Sequence, residues 1–351
     1  MSRRERTTAL PRQRVRTHSH TSGRKFLGRT WGESEGRLAI LGVSLLFLVF
    51  VVSVFTYRWY DERFQRPNHV VLSVGEDKIK LTYYADRLYE FALANAQVPV
   101  PVLESSLLAK LEEESLTVQA VRDRGIELGE GEVTQAIAAK LGVPVGGDGS
   151  PFDTRYRAEL KRVGMSDGNY RRLATAELAD SKLREQVTTE VGDTGDTVTL
   201  RAIASKTKEE SDAILARINK GDNMGTIAQT ESLDLGTRQT DGVQSPAPAK
   251  LLPKELQAEL TGKNVGALFG PVEIAGQFWL FRVEALDPKG AFDAPQKQKL
   301  QQVTLDEVIA AKKRSLSVVR SLNADDATWA RAHTNGDPAS AASSSGTTTT
   351  R

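Results

Sequence analysis

The chain has 351 residues, 39% hydrophobic and 26% charged, enough to bury an ordinary core in about two domains. Cysteine is absent, which excludes a disulfide framework, a thiol nucleophile and a thiolate metal site, and histidine occurs only at His18, His20, His69 and His333, which counts against a mechanism needing a histidine inside the main domains. The formal charge of +2 hides an asymmetry: Met1–Arg37 holds ten Lys/Arg against three Asp/Glu, a charge of +7, which leaves about −5 for the remainder.

The basic head, residues 1–37, is rich in Arg, Ser, Thr and Gly and is expected to be disordered. Leu38–Tyr57, LAILGVSLLFLVFVVSVFTY, then runs twenty residues without a charge, which at about 1.5 Å per residue matches a hydrocarbon core of roughly 30 Å. The expectation is one membrane-spanning helix over 38–57. A cleaved signal peptide is the competing reading, but its apolar core is shorter, about 7–15 residues, and no small-residue cleavage site follows. Arg24, Lys25, Arg29 and Arg37 before the span, and Tyr57, Trp59 and Tyr60 at its far end, place the N-terminus in the cytoplasm and the main domains outside it. Positive-inside topology accounts for the basic head, so no nucleic-acid partner is expected.

Beyond the span, residues 58–192 read as a strand, a turn at Gly75-Glu76-Asp77, a second strand, and then helices. One helix is expected after Thr82 as N-cap, one at 104–124 with Leu107, Leu108, Leu111, Val118 and Val121 at helical spacing, one to about Leu141, and two more at 153–163 and 167–187. A Gly/Asp-rich joint at Gly192–Asp196 opens the segment 197–286. There Val198, Leu200, Ala202 and Ala204 alternate as a strand, Thr207-Lys208-Glu209-Glu210 caps a helix to Lys220, a short helical turn covers 223–230, and Phe278–Ala285 alternates as a final strand. Asp287–Pro295 reads as an exit loop. Leu300–Leu322 reads as one long amphipathic helix that returns to the helices at 104–187, with Trp329 as an anchor, within a C-terminal segment 287–335; residues 336–351, Ser/Thr/Ala/Gly-rich, are expected to be disordered.

Two stretches carry a family resemblance. "VVLSVGEDKIKLTYY" followed by "LLAKLEEESLTVQAVRDRGIELGEGEVTQAI" resembles the opening of SurA-, PrsA- and PpiD-type folding factors. "TVTLRAIASKTKEESDAILARINKGDNMGTIAQTESLD" and "GALFGPVEIAGQFWLFRV" are similar to parvulin (PpiC-type) prolyl isomerases. Gly221, Met224, Ile227, Ala228 and Ser232 answer to the family phrase G-x-x-F-x-x-L-A-x-x-x-S, and Gly266, Leu268, Phe269, Pro271, Val272 and Val283 lie in register with its closing segment.

The resemblance implies an α+β protein: a single N-terminal transmembrane helix, a mostly helical SurA/PrsA-like chaperone domain, and an inserted parvulin-like α/β module. It implies a membrane-anchored extracytoplasmic chaperone or foldase acting on unfolded or nascent secreted polypeptides, with envelope or translocon proteins as further partners. An active peptidyl-prolyl isomerase and a non-catalytic envelope scaffold are the alternatives. Parvulins usually set a histidine on each of two adjacent strands, and by register those positions are Ala202 and Trp279, so the catalytic residues are unknown and the module is degenerate. The remaining candidates for substrate binding are Leu252, Phe269, Phe278 and Trp279, which read as apolar groove or as plain core. Neither a metal nor another cofactor is implied, and no P-loop, Rossmann fingerprint, HExxH or GxSxG occurs.

Overall fold

The computed structural model describes the backbone at 25–26, 29–30 and 33–333, with side chains from residue 42 onward apart from 58, 62, 63 and 333. The chain divides into two compact units, Met1–Pro67 and Asn68–Arg351. In the first, β1 (Lys25–Phe26) pairs with β2 (Arg29–Thr30) and α1 runs Glu33–Tyr60. Its side chains from Val43 to Tyr57 are largely exposed, Phe47 by 67% and Phe55 by 71%. Among the described residues no helix is long and apolar enough to cross a membrane; the expected span 38–57 begins with four residues whose side chains lie outside those described. The disorder expected for the tail 336–351 and for most of the head 1–37 also falls outside them.

In the second unit the chain opens with β3 (Val70–Val74) and β4 (Asp77–Lys80), an antiparallel hairpin whose two-residue turn uses Gly75 at φ 60°. Five helices follow: α2 (Leu81–Ala94), α3 (Val100–Asp123), α4 (Glu130–Leu141), α5 (Pro151–Val163) and α6 (Asp167–Val191). α2 starts at Leu81 with Lys80 as its cap residue, so Thr82 lies inside it, not before it. Ser150 and Ser166 accept the backbone N–H of Asp153 and Asn169 and so start α5 and α6. Gly142 and Gly164 end α4 and α5 in the left-handed region, where a Cβ is unfavourable.

A four-stranded antiparallel sheet interrupts this helical lobe, in the order β6-β5-β8-β7. Its strands are β5 (Thr194–Ser205), β6 (Ala247–Pro248), β7 (Leu268–Ile274) and β8 (Gln277–Ala291), with α7 (Lys208–Asn219), α8 (Met224–Glu231) and α9 (Lys254–Leu260) between them. Ile203 and Leu280 pack with Ile214, Ile218, Met224, Ile227 and Ala228 of α7 and α8 on one face. On the other face Val198, Leu200, Ala202, Phe281 and Val283 pack with Leu256 of α9. The residues that carried the parvulin resemblance are therefore packing residues: Met224 and Ala228 are buried, and buried Ser232 accepts the Ala204 N–H at 3.0 Å.

Two expectations for the C-terminal part are corrected. The exit loop placed at 287–295 is strand as far as Ala291, because β8 continues alongside β5 past the sheet. Pro288 fits there because the register shift between Gly195 and Thr197 leaves β8 with an extra residue, a place where the missing N–H costs no ladder bond. The helix placed at 300–322 is α10 (Ala294–Ser315), after which β9 (Val318–Arg320) joins β3 as the third strand of a sheet ordered β4-β3-β9. Val318 and Val319 are β-branched, and pairing with Val74 and Ser73 satisfies backbone groups that another turn of helix would leave without a buried face. α11 (Ala324–His333) then closes on α2, with Trp329 8% exposed in the same core as Leu72, Leu81, Leu88 and Leu107. α10 packs along α3 and α6, sharing Leu305 with Val121, Leu183 and Val187.

Candidate functional site

Both positions that the parvulin resemblance assigns to histidine lie on the sheet face away from α7 and α8. Ala202 pairs with Phe281 and Ala204 with Trp279, so Ala202 and Trp279 are diagonal neighbours across β5 and β8. Ala202 is 0% exposed and offers only a methyl group. Trp279 is half-buried and stacks on Phe281, centroids 5.9 Å apart at 6°, and Phe281 stacks on Phe269 at 5.6 Å and 27°. Three aromatic rings thus run in a row over the floor where two imidazoles are expected. Leu252, Leu260, Val272 and Ile274 adjoin them, and Lys263 holds its ammonium 5.8 Å from the Phe269 ring centroid at the rim.

Of the four candidate binding residues, Leu252, Phe269 and Trp279 share this cluster. Phe278 does not: alternation along β8 turns it to the opposite face with Leu280, which packs against α7 and α8. Phe281 was missed, although the same alternation from Trp279 names it.

Turning an X–Pro bond needs neither nucleophile nor metal, only a pocket that favours the twisted amide over a barrier of about 20 kcal/mol. Oriented donors and dipoles give such preference, and of the Ala202 methyl and the three stacked rings only Trp279 carries a donor. The Trp279 indole N–H is buried without a hydrogen-bond partner. The floor is largely filled: Ala202, Phe269 and Phe281 are buried, and of the three stacked rings Trp279 alone is half-buried and open to contact with a proline ring or an aromatic side chain.

The helical lobe has its own cleft, of about 530 Å3, between the β3–β4 hairpin, α3 and α6. Arg172 crosses it, donating to both carboxylate oxygens of Asp77 at 2.8 and 3.0 Å with its guanidinium 4.7 Å over the Tyr83 ring. Beneath lies Arg87, fully buried, paired with Glu114 at 2.7 and 2.9 Å and with the Tyr83 hydroxyl at 3.1 Å. Burial works against the Arg87 charge, but hydrogen bonds and attraction from Glu114 more than offset it and raise its pKa. Burial also raises that of Tyr83, which stays a neutral donor and acceptor. Sequence periodicity gave no sign of this cleft, since its charged members sit among apolar helix positions.

Residues 35–184 match the SurA-like N-terminal domain family and residues 196–285 match the PPIC-type PPIase domain family. No curated protein sequence matches the chain. Among solved structures, PrsA from Bacillus cereus is 13% identical over 77% of this chain and 100% of its own, with a TM-score of 0.38. PrsA from Bacillus anthracis is 12% identical over 59% of this chain and 96% of its own, with a TM-score of 0.35. A PpiC-type peptidyl-prolyl cis-trans isomerase domain is 20% identical over 27% and 94%, with a TM-score of 0.25. The chain carries a SurA-like N-terminal domain followed by a PPIC-type PPIase domain.

Proposed function

We propose that this protein is a membrane-anchored, extracytoplasmic folding factor that binds unfolded or nascent secreted polypeptides, and that its PPIC-type module is degenerate and holds apolar or prolyl segments without efficiently isomerising them. The observation that carries the chaperone reading is the pairing of the two matched domains in one chain, with α10, β9 and α11 returning to the helical lobe after the module. Anchoring rests on the uncharged run Leu38–Tyr57 within α1, whose apolar side chains from Val43 onward face no core. A tether would raise the local concentration of the binding surfaces beside the membrane, where envelope or translocon proteins would be neighbours. Degeneracy rests on Ala202 and on the ring stack Trp279–Phe281–Phe269.

The deciding experiment is aggregation of a chemically unfolded client with and without residues 68–351, which form one compact unit. Suppression at near-stoichiometric amounts is expected; aggregation unchanged at excess ends the chaperone reading. A protease-coupled assay on an X-Pro peptide tests degeneracy, with a rate close to the uncatalysed one expected and a clear acceleration overturning it. Fractionation of cells expressing the full chain, with and without 38–57, tests anchoring.

A further inference from the structure

We infer that the inserted module is held against the helical lobe by a charge-dependent clasp on α10 and pivots when that clasp opens. This goes beyond the function proposed above and does not depend on it. The covalent connection is a narrow ribbon in which Thr194–Thr199 of β5 pairs with Ala285–Ala291 of β8, with β6 joining β5 at Thr197 and Val198. The ribbon has two register shifts, between Gly195 and Thr197 and between Thr199 and Leu200. Such irregularities bend and twist a strand pair and leave backbone groups outside the ladder. At its base Gly192 has a φ of 64°, and the Phe292 N–H donates to the Asp193 carbonyl at 2.9 Å, so both chains leave the lobe at one point.

Away from that point, the polar contacts between module and lobe come from one short segment. The Pro246 carbonyl accepts from the Gln296 side chain at 2.8 Å. The Lys250 ammonium donates to Thr304 at 2.9 Å and pairs with Glu307 at 2.7 Å. Lys250 and Glu307 keep side-chain exposures of 41% and 59%. An ion pair this exposed is weak and is screened by salt over a distance of about 8 Å at physiological ionic strength. Beside it lie two clefts that share Thr304, one of about 380 Å3 against Val191, Pro248, Phe292 and Leu300 and one of about 490 Å3 against Ala120, Val308 and Ala311. The contact is therefore bordered by open space on both sides, with Pro248 and Leu300 as its buried apolar members, a small seam of the kind a separable interface has.

The absence of cysteine allows clean spin labelling at Lys220→Cys in the module and Glu185→Cys on α6, both exposed. Pulsed dipolar distance measurements on the full chain in detergent are expected to give one narrow distribution at low salt, broadened or displaced at about 0.5 M salt, where the screening length falls to a few ångströms. Lys250→Glu should produce the displaced population already at low salt, and Lys250→Glu combined with Glu307→Lys should restore the narrow one. A distribution unchanged by Lys250→Glu and by salt overturns the clasp. A Lys250→Glu protein that unfolds at a lower denaturant concentration and is not restored by the swap also overturns it, since the contact would then be part of the fold.

Discussion

The helical lobe and the inserted module each build a packed interior, with different use of charge. The lobe is assembled from segments far apart in sequence, and buried or half-buried ion pairs stand at the joins. Glu112 of α3, side chain 5% exposed, pairs with Lys313 at the end of α10 and with Arg320 of β9, each at 2.6 Å. A hydrogen bond makes another join, between His69 Nδ1 just before β3 and the Asp326 carboxylate of α11 at 2.8 Å. The module is continuous in sequence; its two cores are apolar apart from Ser and Thr hydroxyls and the indole of Trp279, and its half-buried ion pair, Arg201 with Glu284, joins the neighbouring strands β5 and β8. Apolar contact is indifferent to partner, so segments that must find one another across some two hundred residues gain register from charges that fit one arrangement only.

The largest effect that would sharpen this contrast is expected for Arg87→Ala. It strands the Glu114 carboxylate beside the buried Tyr83 hydroxyl, and the loss of one partner of a buried pair costs about 3–5 kcal/mol. Urea unfolding followed by Tyr and Trp signals should show the lobe transition shifted down with the module transition in place; a single unaltered transition breaks the contrast. Next is Glu112→Gln, which leaves Arg320 and Lys313 one neutral acceptor and should cost about 1–3 kcal/mol.

Acid should mimic that change. Burial pushes the Glu112 carboxyl up, but hydrogen bonds and attraction from Lys313 and Arg320 outweigh it and hold its pKa below the ordinary carboxylate value. A depressed folded-state pKa gives stability that is complete above the unfolded value, about 4.3, and is lost as pH falls through the lower folded one. Stability of the parent should therefore drop below about pH 4 more steeply than that of Glu112→Gln in parallel urea titrations, and equal slopes would remove Glu112 from the account.

The smallest effect is expected in the module. Trp279→Phe keeps the ring stack and deletes a buried N–H that has no acceptor, so stability should stay within about 1 kcal/mol of the parent. A larger loss would mean that the indole nitrogen is bonded in solution. Ala202→His with Trp279→His puts two imidazoles back on the floor, and a rise in prolyl-isomerase rate over the parent is the expected readout.

Much of this plan is legible in the residues. Period-two runs mark β5 and β8, Thr207 with Glu210 marks the start of α7, and the apolar stripe of 104–124 marks α3. That Ala202 and Trp279 are not histidines is equally visible, though only the parvulin resemblance makes histidine the expectation there. Three things are not. β7 carries Gly270-Pro271 in its middle, which hides the alternation that a strand is recognised by. β9 is three residues long and directly continues a helical pattern, so only its partner β3 decides its conformation. The Phe269–Phe281–Trp279 stack depends on the register of β7, which carries Phe269, against β8, which carries the other two, with a shift between Phe269 and Val272 that the residues do not announce.

β9 also sets an order of events during synthesis. The outer edge of β3, from Leu72 to Val74, waits for Val318–Arg320, while everything the module needs has emerged by Ala291. A ribosome releasing the chain from its N-terminus lets the inner module close first and keeps the hairpin's bare edge open through nearly 250 further residues. A premature stop between Ala291 and Val318 would release a polypeptide with a finished centre and an unsealed rim, prone to pair with a second such fragment.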